Sequence, residues 1–135
     1  MTHTLLQLHT ALRAQAKGVY ACEAATELLI MHASWLHRGD FLNEFVDTGS
    51  GLISRSPMTT INWPEAITAL EHGRLPCSGG ESRILKIAAS LAEGIPANLR
   101  DTLTGLDATN IELVASAVLH TGGKSDHTST HPKII

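Results

Sequence analysis

Apolar residues recur along most of the chain at the three- and four-residue spacing of amphipathic α-helices, and capping signals punctuate this pattern. Thr4 with Gln7 forms a capping box that predicts a first helix, which ends at Lys17 and Gly18. The pattern predicts further helices over residues 20–38, 41–46, 62–73, 78–93, 96–104 and 107–120. Because the alternation typical of strands is nearly absent, we predict an all-α fold, a compact bundle of six or seven helices.

Most of these helices begin at a side chain that can bind the free amides of a first turn. We expect Asp40 to cap the short segment FLNEFV, Asn62 to cap the helix after the following loop, and Asp107 to cap the last helix. Ser78 with Glu81 forms a second capping box. Glycines mark several of the helix ends, at Gly39, Gly73 and Gly94.

Three of the predicted helices are apolar around most of their circumference, over residues 20–38, 81–93 and 107–120. In the first of them the clearly polar positions form one narrow stripe: Glu23, Glu27, Ser34 and Arg38. From Ile111 onward the last is interrupted only by Glu112, Ser116 and His120. Such helices must be covered on most sides. Either one of them is the hub of the bundle, or a second copy covers part of this surface, so we expect a dimer or a higher oligomer.

Composition and charge narrow the class of protein further. Hydrophobic residues make up 43 % of the 135 residues and charged residues 17 %, yet no stretch approaches the ~18 apolar residues of a membrane helix. The net charge of −3 gives no general attraction to nucleic acid. Cys22 and Cys77 are too few for a disulfide framework and fit a reducing compartment. We therefore expect a cytoplasmic protein with neither a membrane nor a nucleic acid as its partner.

The chain divides into one helical domain, residues 1–123, and a polar tail, residues 124–135, which we expect to be flexible. Residues 47–61 show no sustained period and are interpreted as a loop. Loops of this length are uncommon in compact domains and are often functional. Arg55 in this loop could meet an anionic ligand, although a mobile connector is the simpler interpretation.

The segment LPCSGGESRILKIAASLA, residues 75–92, resembles the signature of ABC-type ATPases, in which a Ser-Gly-Gly-Glu or Ser-Gly-Gly-Gln turn opens a helix. Nucleotide chemistry of that kind also needs a phosphate loop and a carboxylate that holds magnesium. The nearest candidate loop, HTGGKS, has Val118 in place of the first glycine and follows the end of a helix. We therefore interpret Ser78–Glu81 as a helix cap. A weaker alternative is that the amides of Ser78, Gly79 and Gly80 bind a phosphate or a carboxylate.

Cys77 directly precedes this helix, where the dipole and the free amides can lower the pKa of a thiol. A Cys–His nucleophile with the nearby His72 is one interpretation, and a small buried hydrophobe is the other.

Eight histidines raise the question of a metal site, but His32 and His37 are five residues apart and fall on different faces of a helix. We predict no catalytic residue, no metal site and no cofactor.

Three segments carry a resemblance to known proteins: HASWLHRGDFLNEFV, INWPEAITALEHGRLPCSGGESRILKIAASLAEGIP and LRDTLTGLDATNIELVASAVLHTGG. Together they are similar to a group of small, uncharacterised helical proteins of actinobacterial type. The resemblance extends over nearly all of residues 8–123. It implies a bacterial helical protein and brings with it no activity, cofactor or catalytic residue.

Two hypotheses about function follow from the sequence. The first is a non-enzymatic interaction or regulatory module, which uses an apolar helical face to bind a protein partner or its own twin. The second is a protein that binds a small molecule or an anion, an enzyme included, with Cys77, the Ser78–Glu81 turn and Arg55 around one pocket.

Overall fold

Seven α-helices make up most of the computed structural model, which describes residues 4–48 and 59–124. The helices are α1 (Leu5–Ala16), α2 (Tyr20–His32), α3 (Gly39–Phe45), α4 (Trp63–Glu71), α5 (Gly79–Glu93), α6 (Leu99–Leu103) and α7 (Ala108–Thr121). A single 3-10 turn (Trp35–His37) and two short strands, β1 (Val46–Asp47) and β2 (Thr60–Ile61), complete the described part. The all-α prediction is confirmed. All of the predicted tail except Lys124 lies outside the described residues.

The second helix is the hub of the fold, because α2 packs against α5 on one side and α7 on another and also meets α1. It runs antiparallel to α5: the Cys22 thiol near its start lies 3.6 Å from the Ala92 carbonyl oxygen near the end of α5. Ala24 and Ala25 are completely buried. Their small side chains allow the neighbouring helices to approach closely, so most of the circumference of α2 is covered.

An aromatic cluster lies in the part of the core that is formed by the 3-10 turn and α3, beyond the end of α2. Trp35, Phe41 and Phe45 are buried, and successive ring centroids lie 5.3 and 5.6 Å apart. The Trp35 indole nitrogen donates to the Glu81 carbonyl oxygen at 2.9 Å. This hydrogen bond satisfies the polar atom of a buried ring and joins the cluster to the first turn of α5.

The prediction that the second helix runs from residue 20 to residue 38 was wrong. The helix ends at His32, because Ala33 adopts a left-handed conformation with φ 67° and ψ 15°. The chain then turns through the 3-10 segment, which brings Trp35 and Leu36 into the core. Ser34 and Arg38 therefore leave the polar stripe of α2. The apolar spacing continues across residue 33, so the sequence contains no sign of the break.

Three smaller boundaries also differ from the predictions. Asp40 does not cap α3: it lies in the first turn, where its carboxylate accepts the Phe41 amide at 2.8 Å, and Arg38 precedes the helix. Both ends of the loop predicted over residues 47–61 are strand, because β1 and β2 pair antiparallel, and residues 49–58 of it lie outside the described residues. The helix predicted from residue 96 begins at Leu99, since the Asn98 side chain accepts the Asp101 amide at 3.0 Å.

No helix within the described residues has both the length and the apolar character needed to cross a lipid bilayer.

Candidate functional site

The start of α5 is closed by the capping box that the sequence predicts. The Ser78 hydroxyl accepts the Glu81 amide at 3.1 Å, and the Glu81 carboxylate accepts the Ser78 amide at 2.8 Å. The second carboxylate oxygen of Glu81 accepts a hydrogen bond from the Ser34 hydroxyl. The Ser34 bond, followed by the bond from the Ser78 amide, lowers the pKa of Glu81. A carboxylate charge thus stands at this helix start, where it would repel an anionic ligand.

The two glycines of the turn have different surroundings. A Cβ atom at Gly79 would lie 2.8 Å from a terminal nitrogen of Arg83, whereas a Cβ at Gly80 would meet nothing closer than 3.6 Å. The Arg83 guanidinium also lies close to Gly105 and donates to the Asp101 carbonyl oxygen at 3.2 Å. Gly79 therefore makes room for an arginine that ties α5 to the end of α6.

Arg38 forms a clamp beside the same turn. Its guanidinium donates to both Asp40 carboxylate oxygens, at 3.0 and 2.6 Å, and to the Pro76 carbonyl oxygen at 2.7 Å. It also lies over the Trp35 ring, 4.8 Å from the centroid, a distance typical of a cation–π contact. The hydrogen bond with Arg38 lowers the pKa of Asp40. The charge of Arg38 is thus used to fix the segment that precedes α5.

The environment of Cys77 does not activate its thiol. Partial burial of its thiol raises the pKa of Cys77, although the residue as a whole is exposed and is not a buried hydrophobe. The negative charge of Glu81 raises this pKa further, while the positive charges of Arg38 and Lys86 oppose the shift. The direction is opposite to the one that a helix start alone would give. A raised thiol pKa leaves less of the nucleophilic thiolate at neutral pH.

The structure brings together the predicted residues Cys77, Ser78, Gly79 and Gly80, which are adjacent in sequence. Arg55, which the sequence hypothesis adds to them, lies outside the described residues.

A groove of about 580 Å³ lies between α2 and α7. Apolar side chains from both helices form most of its lining: Tyr20, Ala24, Leu28, Met31, Leu113 and Ala117. Tyr20 and Met31 are more than half exposed. Sequence reasoning missed this groove, because its two walls are about ninety residues apart and nothing in the chain marks them as neighbours.

His120, which lines this groove, contacts Glu23 at the start of α2. Nε2 of His120 lies 2.7 Å from a Glu23 carboxylate oxygen, and the other oxygen accepts the Gly18 amide at 2.8 Å. The hydrogen bond from His120, and then that from Gly18, lowers the pKa of Glu23. The Tyr20 ring meets the His120 ring edge-on, with centroids 6.2 Å apart. This pair holds the end of α7 on the start of α2.

The outward surface of α7 exposes several apolar side chains. The α7 outer face is the set of exposed apolar residues Ala108, Ile111, Ala115, Val118 and Leu119, and the polar residues Thr109, Glu112 and Ser116 are exposed beside them. The exposed fractions of its three large side chains are 37 % for Ile111, 56 % for Val118 and 42 % for Leu119. Glu112 is the only Asp, Glu, Lys or Arg within the helix. This helix therefore lacks on its outer side the cover that its sequence requires.

The histidines in the described part of the chain do not form a metal centre. No group of three or more His, Cys, Asp or Glu side chains among the described residues is placed to hold a metal ion. Burial lowers the pKa of His32, while the negative charges of Glu81 and Asp107 oppose that shift. His127 and His131 lie outside the described residues.

Comparison with known proteins adds no relative: no protein family, no curated protein and no solved structure matches this chain significantly. The resemblance to small helical proteins of actinobacterial type therefore stays a prediction.

Proposed function

We propose that the protein is a non-enzymatic interaction module of the cytoplasm that associates with itself through the α7 outer face. The exposure of Ile111, Val118 and Leu119 on one helix carries this proposal. Exposed apolar patches on small proteins commonly mark interaction sites. The cytoplasmic assignment is supported by Cys22 and Cys77, both of which are unpaired.

The polar groups around the start of α5 support this choice over a ligand-binding function. Glu81 and Ser78 satisfy each other, and the guanidinium of Arg38 is bound to Asp40 and to the Pro76 carbonyl oxygen. Side chains that already have partners must give them up before they bind a ligand. Under the interaction hypothesis, a thermal-shift screen of nucleotides, phosphorylated metabolites and metal ions gives no change. A specific rise of several degrees would instead support ligand binding.

The test is the mass of the full chain in solution, measured by static light scattering at about 100 µM. We expect a dimer for the unchanged protein and a monomer for Val118→Glu. The new carboxylate would have to lose its water on association without gaining a partner. Leu6→Glu is the matched control, because Leu6 is 72 % exposed and lies on α1, away from α7. We expect this control to remain dimeric.

A monomer for the unchanged chain at that concentration would contradict the proposal. An equal loss of mass in Val118→Glu and Leu6→Glu would show that the α7 outer face has no special role. Circular dichroism of each variant ensures that a change in mass is not a loss of the fold.

A further inference from the structure

We propose that two copies of the chain pair through antiparallel α7 helices, with the two-fold axis at Ala115. This inference rests on the proposed self-association and adds the surface, the partner and the geometry. A two-fold dimer uses the same patch on both copies, so the patch must be complementary to itself.

Small and large residues alternate along the α7 outer face at the spacing of a packed helix pair. Ala108 and Ala115 are seven residues apart, as are Ile111 and Val118, and Gly122 continues the first spacing directly after the end of α7. All five positions are exposed. Small residues every seven positions let two helices approach closely, and the larger ones pack beside them. Antiparallel pairing about Ala115 places Ile111 opposite Leu119 of the second copy, and the exposed Glu112 opposite Val118. In this register Val118→Glu would set two carboxylates against each other.

The charges of this segment favour the antiparallel orientation. From residue 107 to residue 124 the two acidic residues, Asp107 and Glu112, precede His120 and Lys124. An antiparallel pair therefore sets the acidic half of each helix near Lys124 of the other, whereas a parallel pair would align like charges. The helix dipoles also oppose each other in the antiparallel pair.

Within residues 107–124, Lys124 is the only Lys or Arg that could face the second copy. His120 already pairs with Glu23 of its own chain at 2.7 Å. In the register about Ala115, Lys124 lies opposite the segment that contains Asp107 of the second copy. Lys124→Glu would place two acidic groups there, so we expect the dissociation constant to rise severalfold and to fall again as salt is added.

Disulfide trapping tests the geometry directly. In a full-length background carrying Cys22→Ser and Cys77→Ser, Ala115→Cys places the two new thiols on the two-fold axis. We expect mild oxidation to convert most of this variant into a covalent dimer. Ala108→Cys is the matched control on the same face. In the antiparallel pair its two copies are 14 residues apart along the axis, roughly 21 Å, which is beyond the ~7 Å limit for a disulfide.

Each outcome bears on one of the two proposals. Trapping of Ala115→Cys without Ala108→Cys supports the antiparallel pair. Equal trapping of both variants indicates a parallel pair and overturns this inference. A dimeric mass with no trapping at Ala115 indicates a different surface, which overturns the geometry but leaves self-association intact. A monomeric mass for the background protein overturns both.

Discussion

At the scale of single residues, the polar and charged side chains around the start of α5 serve to connect structural elements. The Glu81 carboxylate accepts hydrogen bonds from the Ser78 amide and the Ser34 hydroxyl, and so connects α5 to the segment after α2. Arg38 connects the same segment to the Pro76 carbonyl oxygen. The turn that resembles an ATPase signature thus serves to hold α5 against the core.

If the Ser78 hydroxyl acts as a cap, its removal should cost the free energy of one capping interaction. We expect Ser78→Ala to lower the free energy of unfolding by about 1 kcal/mol, because the Glu81 amide loses its acceptor. Urea unfolding followed by circular dichroism measures this change.

The control for this substitution is Ser78→Asp, since aspartate is an equally good cap residue. We expect it to retain most of the stability of the unchanged protein, reduced somewhat by repulsion from Glu81. Two results together would identify the Ser78 hydroxyl as a ligand group instead of a cap. Ser78→Asp would be as unstable as Ser78→Ala, and Ser78→Ala would abolish binding of an anion.

Local capping could be predicted from the sequence because its partners are three residues apart. The side chains of Thr4, Asn62, Ser78 and Asp107 all accept the amide three residues ahead, as their spacing predicts. The pair between Glu23 and His120 could not be predicted, because 97 residues separate them and only the packing of α7 on α2 brings them together.

At the scale of elements, the most informative feature is the end of α2. The chain leaves the helix at Ala33, a non-glycine residue with positive φ, without a glycine or a proline to mark the turn. Buried Leu28 and Leu29 are followed seven residues later by buried Trp35 and Leu36, so helical spacing continues through the break. The spacing of apolar residues indicates which side chains are buried, but it does not indicate the path of the backbone between them. For this reason the sequence analysis predicted a second helix that is too long.

The left-handed conformation of Ala33 predicts a stabilising substitution. For an L-residue with a Cβ atom the left-handed conformation costs roughly 1–2 kcal/mol of conformational free energy, whereas for glycine it costs almost nothing. Glycine also makes the unfolded chain more flexible, which costs about 0.4–1 kcal/mol. We therefore expect Ala33→Gly to raise the free energy of unfolding by about 0.5–1 kcal/mol, as measured by urea unfolding.

Ala14→Gly is the matched control, because Ala14 is an exposed alanine within a helix, on α1. We expect it to lower the free energy of unfolding by roughly 1 kcal/mol. Opposite signs for the two substitutions would support the left-handed turn. Destabilisation of similar size by both would mean that residue 33 continues the helix.

At the scale of the whole molecule, the packing distinguishes two helices of similar apolar character. Both α2 and α7 are apolar around most of their circumference, yet α2 is enclosed by its neighbours while only Val114 and Ala117 of α7 are fully buried. The sequence predicts that each helix needs cover but cannot assign which one lies at the centre. Which helix lies at the centre depends on how the other helices pack around it. In this fold α2 is central, and the α7 outer face is the surface that a second copy would cover.

The stability of the whole chain should depend on pH in two separate ranges. Burial lowers the pKa of His32 and of His9 from the ordinary 6.5. Because both are lowered in the folded state, the unfolded chain takes up these protons first on acidification. Their contribution is therefore fully present above about pH 6.5 and declines as the pH falls through the folded pKa values. The lowered pKa values of Glu23 and Glu81 act in the same direction, but only below about pH 4.5.

The first of these ranges can be assigned to His32 by substitution. We expect the midpoint of urea unfolding to decrease between about pH 7 and about pH 5 in the unchanged protein, and to decrease less steeply in His32→Gln. Glutamine cannot take up a proton, so the slope changes even if the substitution lowers stability at every pH. His72→Gln, at an exposed position, should retain the original slope.

If His32→Gln and the unchanged protein had the same slope, the proton taken up on unfolding would belong to another group. The packing of α2 against the starts of α5 and α7 would then not be the source of the sensitivity to acid.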